Sequence, residues 1–326
     1  MTTTTDTTSV TKRAGVGWAD LAWLTWRQHR WAIAGVVVVA GAAIALALLL
    51  AWRVEATGDA RGLFGRWRFI SVGSVVMLAP MVTGLAVAVF WAAPVLAREY
   101  EQRTHLVVWS QDITPTRWLA GKAVLLGVPA VALAVVVGLA SRTLIDSINA
   151  TTDRPIFPPF TMPAFEAAPL VQAGFAAFGF ALGLALGAVT RRTVMSMGLA
   201  LGVFVAVRGV VAGLWRPNFQ EPLLKVERYD AYERSWDGPG DGSWTVASGF
   251  SDAAGNEVAY PSACSNVHDS DAYTKCMNDN NVLFFTEYHP AERLVPFQLF
   301  ESAIFLVLAA GLLALAFVRV RRASRV

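Results

Sequence analysis

Lysine, histidine and cysteine are all scarce in this chain. Of 326 residues only Lys12, Lys122, Lys225 and Lys275 are lysine, His29, His105, His268 and His289 are histidine, and Cys264 and Cys276 are cysteine. No G-x-x-x-x-G-K-[ST] occurs. The nearest fragment, Gly121–Lys122, lacks the leading glycine and the hydroxyl residue, which excludes a phosphate-cradling ATP loop in this chain. H-E-x-x-H and G-x-S-x-G are also missing, and the histidines are dispersed, so no metalloprotease or serine-hydrolase chemistry is expected. Charged residues make up 16% of the chain and almost avoid its apolar runs. That excludes the chain of buried acids of a proton-coupled pump and the converging polar groups of an intramembrane enzyme. The basic residues are scattered among helix ends rather than gathered into a stripe, which argues against nucleic-acid binding. No catalytic residue and no metal site is expected.

What the chain has in abundance is apolar sequence. Hydrophobic residues reach 55% and the mean hydropathy is +0.47. Six runs are each long enough to cross a bilayer: Trp31–Trp52, Phe69–Ala93, Leu119–Ala140, Ala167–Val189, Val194–Trp215 and Phe297–Val318. About twenty helical residues span a hydrocarbon core of about 30 Å, and only helices or closed barrels satisfy their own backbone there. The runs lack the alternation of barrel strands, so the expected fold is an all-α integral membrane protein with six transmembrane helices. An even number of spans puts both termini on one side. Short flanks rich in arginine stay in the cytoplasm, and Arg27, Arg30, Arg98, Arg103, Arg117, Arg191, Arg192, Arg319, Arg321 and Arg322 place that side there. Arg53, Arg61, Arg66 and Arg68 argue weakly the other way.

The expected domains are a disordered cytoplasmic N-terminus (1–16), an interfacial amphipathic helix (17–30), spans one to five (31–215), an extracytoplasmic domain (216–296), span six (297–318) and a basic tail (319–326). The domain at 216–296 carries six basic against thirteen acidic residues and five of the six tyrosines, with a turn-rich break at Pro239–Gly242. It is expected to be helical or irregular. Both cysteines fall in it, with eleven residues between them, which fits a disulfide in an oxidising exterior worth roughly 2–4 kcal/mol. Two unpaired thiols are the alternative. His268, Asp269 and Asp271 between them match no strong metal pattern. A cap that handles substrate and an inert structural cap both fit this composition.

Several local patterns stand out. In Gly17–Arg30, Trp18 and Leu21 share a face that Trp26, Arg27 and Arg30 widen, which reads either as a helix lying at the membrane interface or as an extension of span one. Between spans two and three, Arg98–His105 should be a short helix (Arg98, Glu99, Tyr100, Glu101, Arg103, His105), with Glu99 and Arg103 paired four apart. Such a charged helix beside the apolar Leu106–Trp109 suits a docking site for a cytoplasmic partner, or is a solvated connector. Thr114–Pro115 reads as the N-cap and first turn of span three. Gly179, Gly183 and Gly187 line one face of span four for close helix packing, within the chain or between copies. Pro80 and Pro129 interrupt spans two and three. Arg208 lies about 10 Å inside span five and Glu301 one turn into span six, and the two are expected to pair. The alternative is an arginine that snorkels outward alone.

Three stretches carry a resemblance: L-T-W-R-Q-H-R (Leu24–Arg30), A-R-E-Y-E-Q-R-T-H (Ala97–His105) running through W-S-Q-D-I-T-P-T-R-W (Trp109–Trp118), and E-Y-H-P-A-E-R-L-V-P-F-Q-L-F-E (Glu287–Glu301). With the six-span order, they resemble the permease subunits of ABC-2-type ABC transporters, particularly actinobacterial ones. The resemblance implies a homodimer or a heterodimer with a similar permease, and a cytoplasmic ABC ATPase subunit that holds the ATP and magnesium. No cofactor would bind this chain. It implies a coupling helix at 97–105, an interfacial connecting helix at 17–30, and contact with membrane lipids. The expected setting is a bacterial plasma membrane, and the expected activity is export of a hydrophobic or amphipathic substrate. The rival expectation is a membrane signalling or mechanotransmission protein with an extracytoplasmic sensing domain.

Overall fold

The computed structural model describes residues 17–60, 72–109, 113–228, 242–253 and 255–323. The N-terminal stretch 1–16, Arg61, Arg66, Arg68, Trp236, the break at 239–241 and the last residues of the basic tail lie outside the described residues. Helix α1 (Trp18–Thr57) is one unbroken run of 40 residues, about 60 Å long at the helical rise. The segment 17–30 is therefore continuous with the helix of span one rather than a separate helix: Trp23 to Trp31 contains no glycine or proline that would stop it. Gly17 N–H donates to Asp20 Oδ2 at 2.9 Å to open α1. Gly58, at φ 63°, closes it by returning its N–H to Val54 O at 2.8 Å, a left-handed cap that a Cβ would strain.

Span two is segmented into α2 (Val72–Met77), α3 (Ala79–Ala86), a π-helical stretch (Val87–Ala92) and α4 (Ala93–Glu101). Pro80 and Pro94 sit in the first turns of α3 and α4, where a missing N–H costs little. A short α5 (Thr104–Trp109) precedes α6 (Pro115–Asn149), which starts where the sequence predicts, with the Thr114 hydroxyl accepting from Arg117 N–H at 3.3 Å. Pro129 lies inside α6 without ending it, and the helix runs nine residues past the expected Ala140. After α7 (Pro169–Thr190), Arg191 at φ 55° turns the chain into α8 (Thr193–Val210). Span five then continues through a π-helical stretch (Val211–Trp215) and a single 3-10 turn (Arg216–Asn218). Among the described residues six segments are long and apolar enough to cross a membrane, the last ending in the C-terminal helix Leu294–Ala323.

The span formed by α7 is the centre of the bundle, with 72% of its apolar window buried against 11% for span one and 22% for spans five and six. Its glycine face lies on span two. A β-carbon at Gly183 would stand 2.6 Å from Ala88 O, one at Gly187 would stand 3.0 Å from Ala93 O, and one at Gly179 would collide with Gly84 O. These glycines thus pack within the chain. Trp118, Tyr100, Ala316 and Val320 share one buried cluster, so the starts of span three and the end of span six meet at the end of the bundle that carries the termini.

The segment between spans five and six departs from expectation. It holds a three-stranded antiparallel sheet of β1 (Leu223–Arg228), β2 (Trp244–Ser251) and β3 (Leu283–His289) in the order β1-β3-β2. The β3 sequence L-F-F-T-E-Y-H is rich in aromatic and β-branched residues, and it pairs with both neighbours, with Lys225 opposite Thr286 and Gly249 opposite Phe285. Helix α9 (Ser270–Asp279), capped by Asp269, is joined by a Cys264–Cys276 disulfide to a single 3-10 turn at Ser262–Cys264. Cys264, Met277 and Val282 form a small core beside Phe250, Tyr273 and Phe284. The cap sits on the bundle through aromatic contacts: Trp244 stacks on Phe160 at 5.7 Å, and Phe160 meets Phe297 edge-on at 5.7 Å. The C-terminal helix Leu294–Ala323 is α10 below.

Candidate functional site

At the terminal end, the expected Arg98–His105 helix is two helices with an elbow. Span two continues as α4 through Glu101, and Arg103 adopts a left-handed conformation (φ 56°) before α5 begins at Thr104. The expected Glu99–Arg103 pair cannot form across that break. Glu99 is instead buried and ion-paired with Lys122 of α6 at 2.6 Å, and Lys122 also donates to Gln28 of α1 at 3.4 Å. Tyr100 is buried under Arg191 of the α7–α8 turn, 5.2 Å from its guanidinium carbon, and packs on His105 at 4.7 Å. His105 Nδ1 donates to the Glu99 carbonyl at 3.1 Å, closing the elbow. Glu101 caps α8, accepting from Thr193 N–H at 3.0 Å and from its hydroxyl at 2.5 Å. Three consecutive side chains therefore tie the end of span two to spans one, three, four and five. Arg98 and Arg103 point outward and are exposed.

Along α1, Trp18, Trp26, Arg27 and Arg30 are all exposed, and the Arg117 guanidinium lies over the Trp18 ring at 5.7 Å. Leu21 is within the same helix.

At the cap end, Arg208 and Glu301 belong to one cluster but are not each other's partners. Glu301 is fully buried and takes a two-pronged bond from Arg216, Nε to Oε2 at 2.7 Å and Nη2 to Oε1 at 2.8 Å. Arg208 pairs with Glu166 at 3.5 Å and donates to the Met81 carbonyl. Arg216 reaches Glu166 as well, at 3.2 Å. Both guanidiniums lie over rings, Arg208 on Phe175 at 4.5 Å and Arg216 on Phe165 at 3.9 Å. Two carboxylates and two guanidiniums leave the group neutral, the condition under which charge is tolerated at such burial. Placing one arginine alone at mid-membrane costs about 2.5–3.5 kcal/mol on insertion scales. The cluster fastens the 150–168 connection, the end of span five and the start of span six into one plate under the cap.

His289 anchors the cap on that plate. Arg293, which can only donate, bonds His289 Nδ1 at 3.0 Å, so the ring proton sits on Nε2 and is donated to Pro217 O at 3.0 Å. Burial pushes the imidazole pKa down, the Pro217 bond opposes this, and the Arg293 charge adds to the depression.

Sequence reasoning missed Lys122, Thr193, Glu166 and Arg216. Arg216 had a signal, since it lies eight residues after Arg208. In an α-helix that spacing leaves the two about 80° apart. The π-helical stretch Val211–Trp215 takes more residues per turn and brings both onto Glu166. Glu166 sits in a connection with no periodicity to read.

A polytopic helical membrane protein with a buried ion cluster under a disulfide-bonded cap is the class these features define. Residues 60–216 match the model of the family described as ABC-2 membrane transporter related. Over that stretch the chain is thus similar to ABC-2 membrane transporters, and its long apolar helices are those of a multi-pass membrane protein. No curated protein matches it with significance.

Proposed function

We propose that this chain is the membrane subunit of an ATP-driven ABC-2-type transporter that exports a hydrophobic or amphipathic cargo. ATP and magnesium are held by a separate cytoplasmic ATPase. Two permeases, identical or similar, form the path, in a bacterial plasma membrane with both termini in the cytoplasm and the cap outside. The observation that carries this reading is the elbow at Arg98–His105. Its outer surface offers exposed Arg98 and Arg103, and its inner surface is wired through Glu99, Tyr100 and Glu101 to spans one, three, four and five. A push on the elbow by a closing ATPase would move those helices together. The match to a transporter family and the want of any ATP-binding sequence support the division of labour.

The test is co-purification in mild detergent with Arg98→Glu and Arg103→Glu reversed in a parallel sample. A stoichiometric P-loop ATPase that is lost in the reversed sample, at unchanged melting temperature, is the expected outcome. A chain that purifies alone under conditions where a known ABC transporter stays intact would overturn it. Glu99 is unsuitable for this purpose, because its reversal would bury a second cation against Lys122. The disulfide-bonded sheet in the cap favours one second reading, an external sensor that moves no solute. ATP-dependent efflux from reconstituted vesicles separates the two.

A further inference from the structure

The exposed side of α1 forms one stripe: Trp23, Arg27, Trp31, Gly35, Val38, Ala42, Ala45, Leu49 and Trp52 recur at three- and four-residue steps. Trp31 (80% exposed) and Trp52 (66% exposed) lie 21 residues apart on it, about 31 Å along the helix. That matches a hydrocarbon core of about 30 Å, and tryptophans sit at its two edges. With Trp31 at the boundary, Arg30 and Arg27 fall about 2–6 Å beyond it, in the headgroup layer.

Both arginines are held for recognition there. The Arg27 guanidinium lies over Trp23 at 5.2 Å and that of Arg30 over Trp31 at 5.5 Å. A guanidinium held over a ring keeps N–H donors for an oxyanion such as phosphate. Among the described residues no carboxylate is ion-paired with either, and Asp20, the nearest acid in the helix, is engaged by Gly17 N–H. The same stripe is apolar from Gly35 to Leu49, which puts acyl chains beside it and a headgroup at its foot.

We propose that Arg27 and Arg30 form a site for an anionic phospholipid headgroup in the leaflet at the terminal end of the bundle. The site owes nothing to ATP or cargo, so its failure and that of the permease reading are distinguishable. The test is native mass spectrometry of the chain released from mixed vesicles of phosphatidylglycerol and phosphatidylcholine with identical acyl chains. Wild-type chain is expected to retain phosphatidylglycerol preferentially, and Arg27→Gln with Arg30→Gln is expected to cut that preference about tenfold or more at unchanged melting temperature. Arg319→Gln with Arg321→Gln and Arg322→Gln, at the same end of the bundle, should leave it intact. Equal retention of the two lipids by wild type overturns the proposal. So does equal loss in the two variants, which would mean general attraction to a basic end. Efficient disulfide crosslinking of two chains through Arg27→Cys in the vesicles would also overturn it, since a second copy would then occupy the face.

Discussion

Arg216 is the residue on which the cap-end cluster turns. Among the described residues it is the only side chain that bonds both carboxylates, while Arg208 is ion-paired with Glu166. Removing one member of a buried pair leaves an uncompensated charge, at about 3–5 kcal/mol, whereas removing both with apolar residues of similar size is often near neutral. Glu301→Leu and Arg216→Met should therefore each be strongly destabilising, and the double variant should recover most of the loss in a thermal-melt cycle. Arg208→Met with Glu301→Leu restores neutrality without removing a direct bond, so its coupling should be weaker than that of Arg216→Met with Glu301→Leu, and equal coupling would contradict the pairing. His289 gives the second residue-scale prediction. Its folded pKa lies below the ordinary 6.5, so the unfolded chain binds the proton better. The contribution of His289 is complete above about pH 6.5 and is lost as pH falls through that value toward the folded pKa. Protease cleavage between Phe219 and Pro296 should rise on acidification across this window, and His289→Gln should flatten the rise.

At the scale of elements, hydropathy alone located all six spans, because bilayer thickness leaves little freedom in helix length. Helix ends were less legible. The continuity of α1 through Arg30 and of α6 through Asn149 depends on side-by-side packing, seen in the Lys122–Gln28 and Ser147–Glu55 bonds, which no local signal announces. The break at Arg103 was unreadable for a similar reason. Glu99 gains more from buried Lys122 than from an exposed partner four residues on, and turning the chain at Arg103 lets α5 fold back. The glycine spacing in α7 was readable, and the structure adds which surface it meets. Gly183→Val should cost about 1–3 kcal/mol or more, because Ala88 O and Ala93 N are backbone atoms that cannot swing away. Gly198→Val in α8, where nothing lies within 4 Å, should leave the melting temperature nearly unchanged. Comparable losses at both positions would mean that α8 also packs tightly against a partner.

The whole molecule is a bundle and a cap joined at a narrow aromatic and ionic seat. The sheet in the cap was hidden because β1 and β2 lack clean alternation of buried and exposed residues. The disulfide was legible from two cysteines in one polar segment, and its work is local. It ties α9 to the Cys264 turn in a small core that touches Phe250, Tyr273 and Phe284, while the seat on the bundle is built by Phe160, Trp244, His289 and Phe297. Cys264→Ser with Cys276→Ser should therefore weaken the cap and spare the bundle. Closing a loop of this length contributes about 3 kcal/mol, so protease cleavage near α9 should accelerate by roughly a hundredfold while the thermal transition of the helices barely moves. The same variant decides what the cap is for. If vesicles carrying it keep ATP-dependent efflux, the cap is a structural lid whose lobe can open without consequence. If efflux falls while the bundle melts normally and the ATPase still co-purifies, cargo passes through a cap that must stay folded.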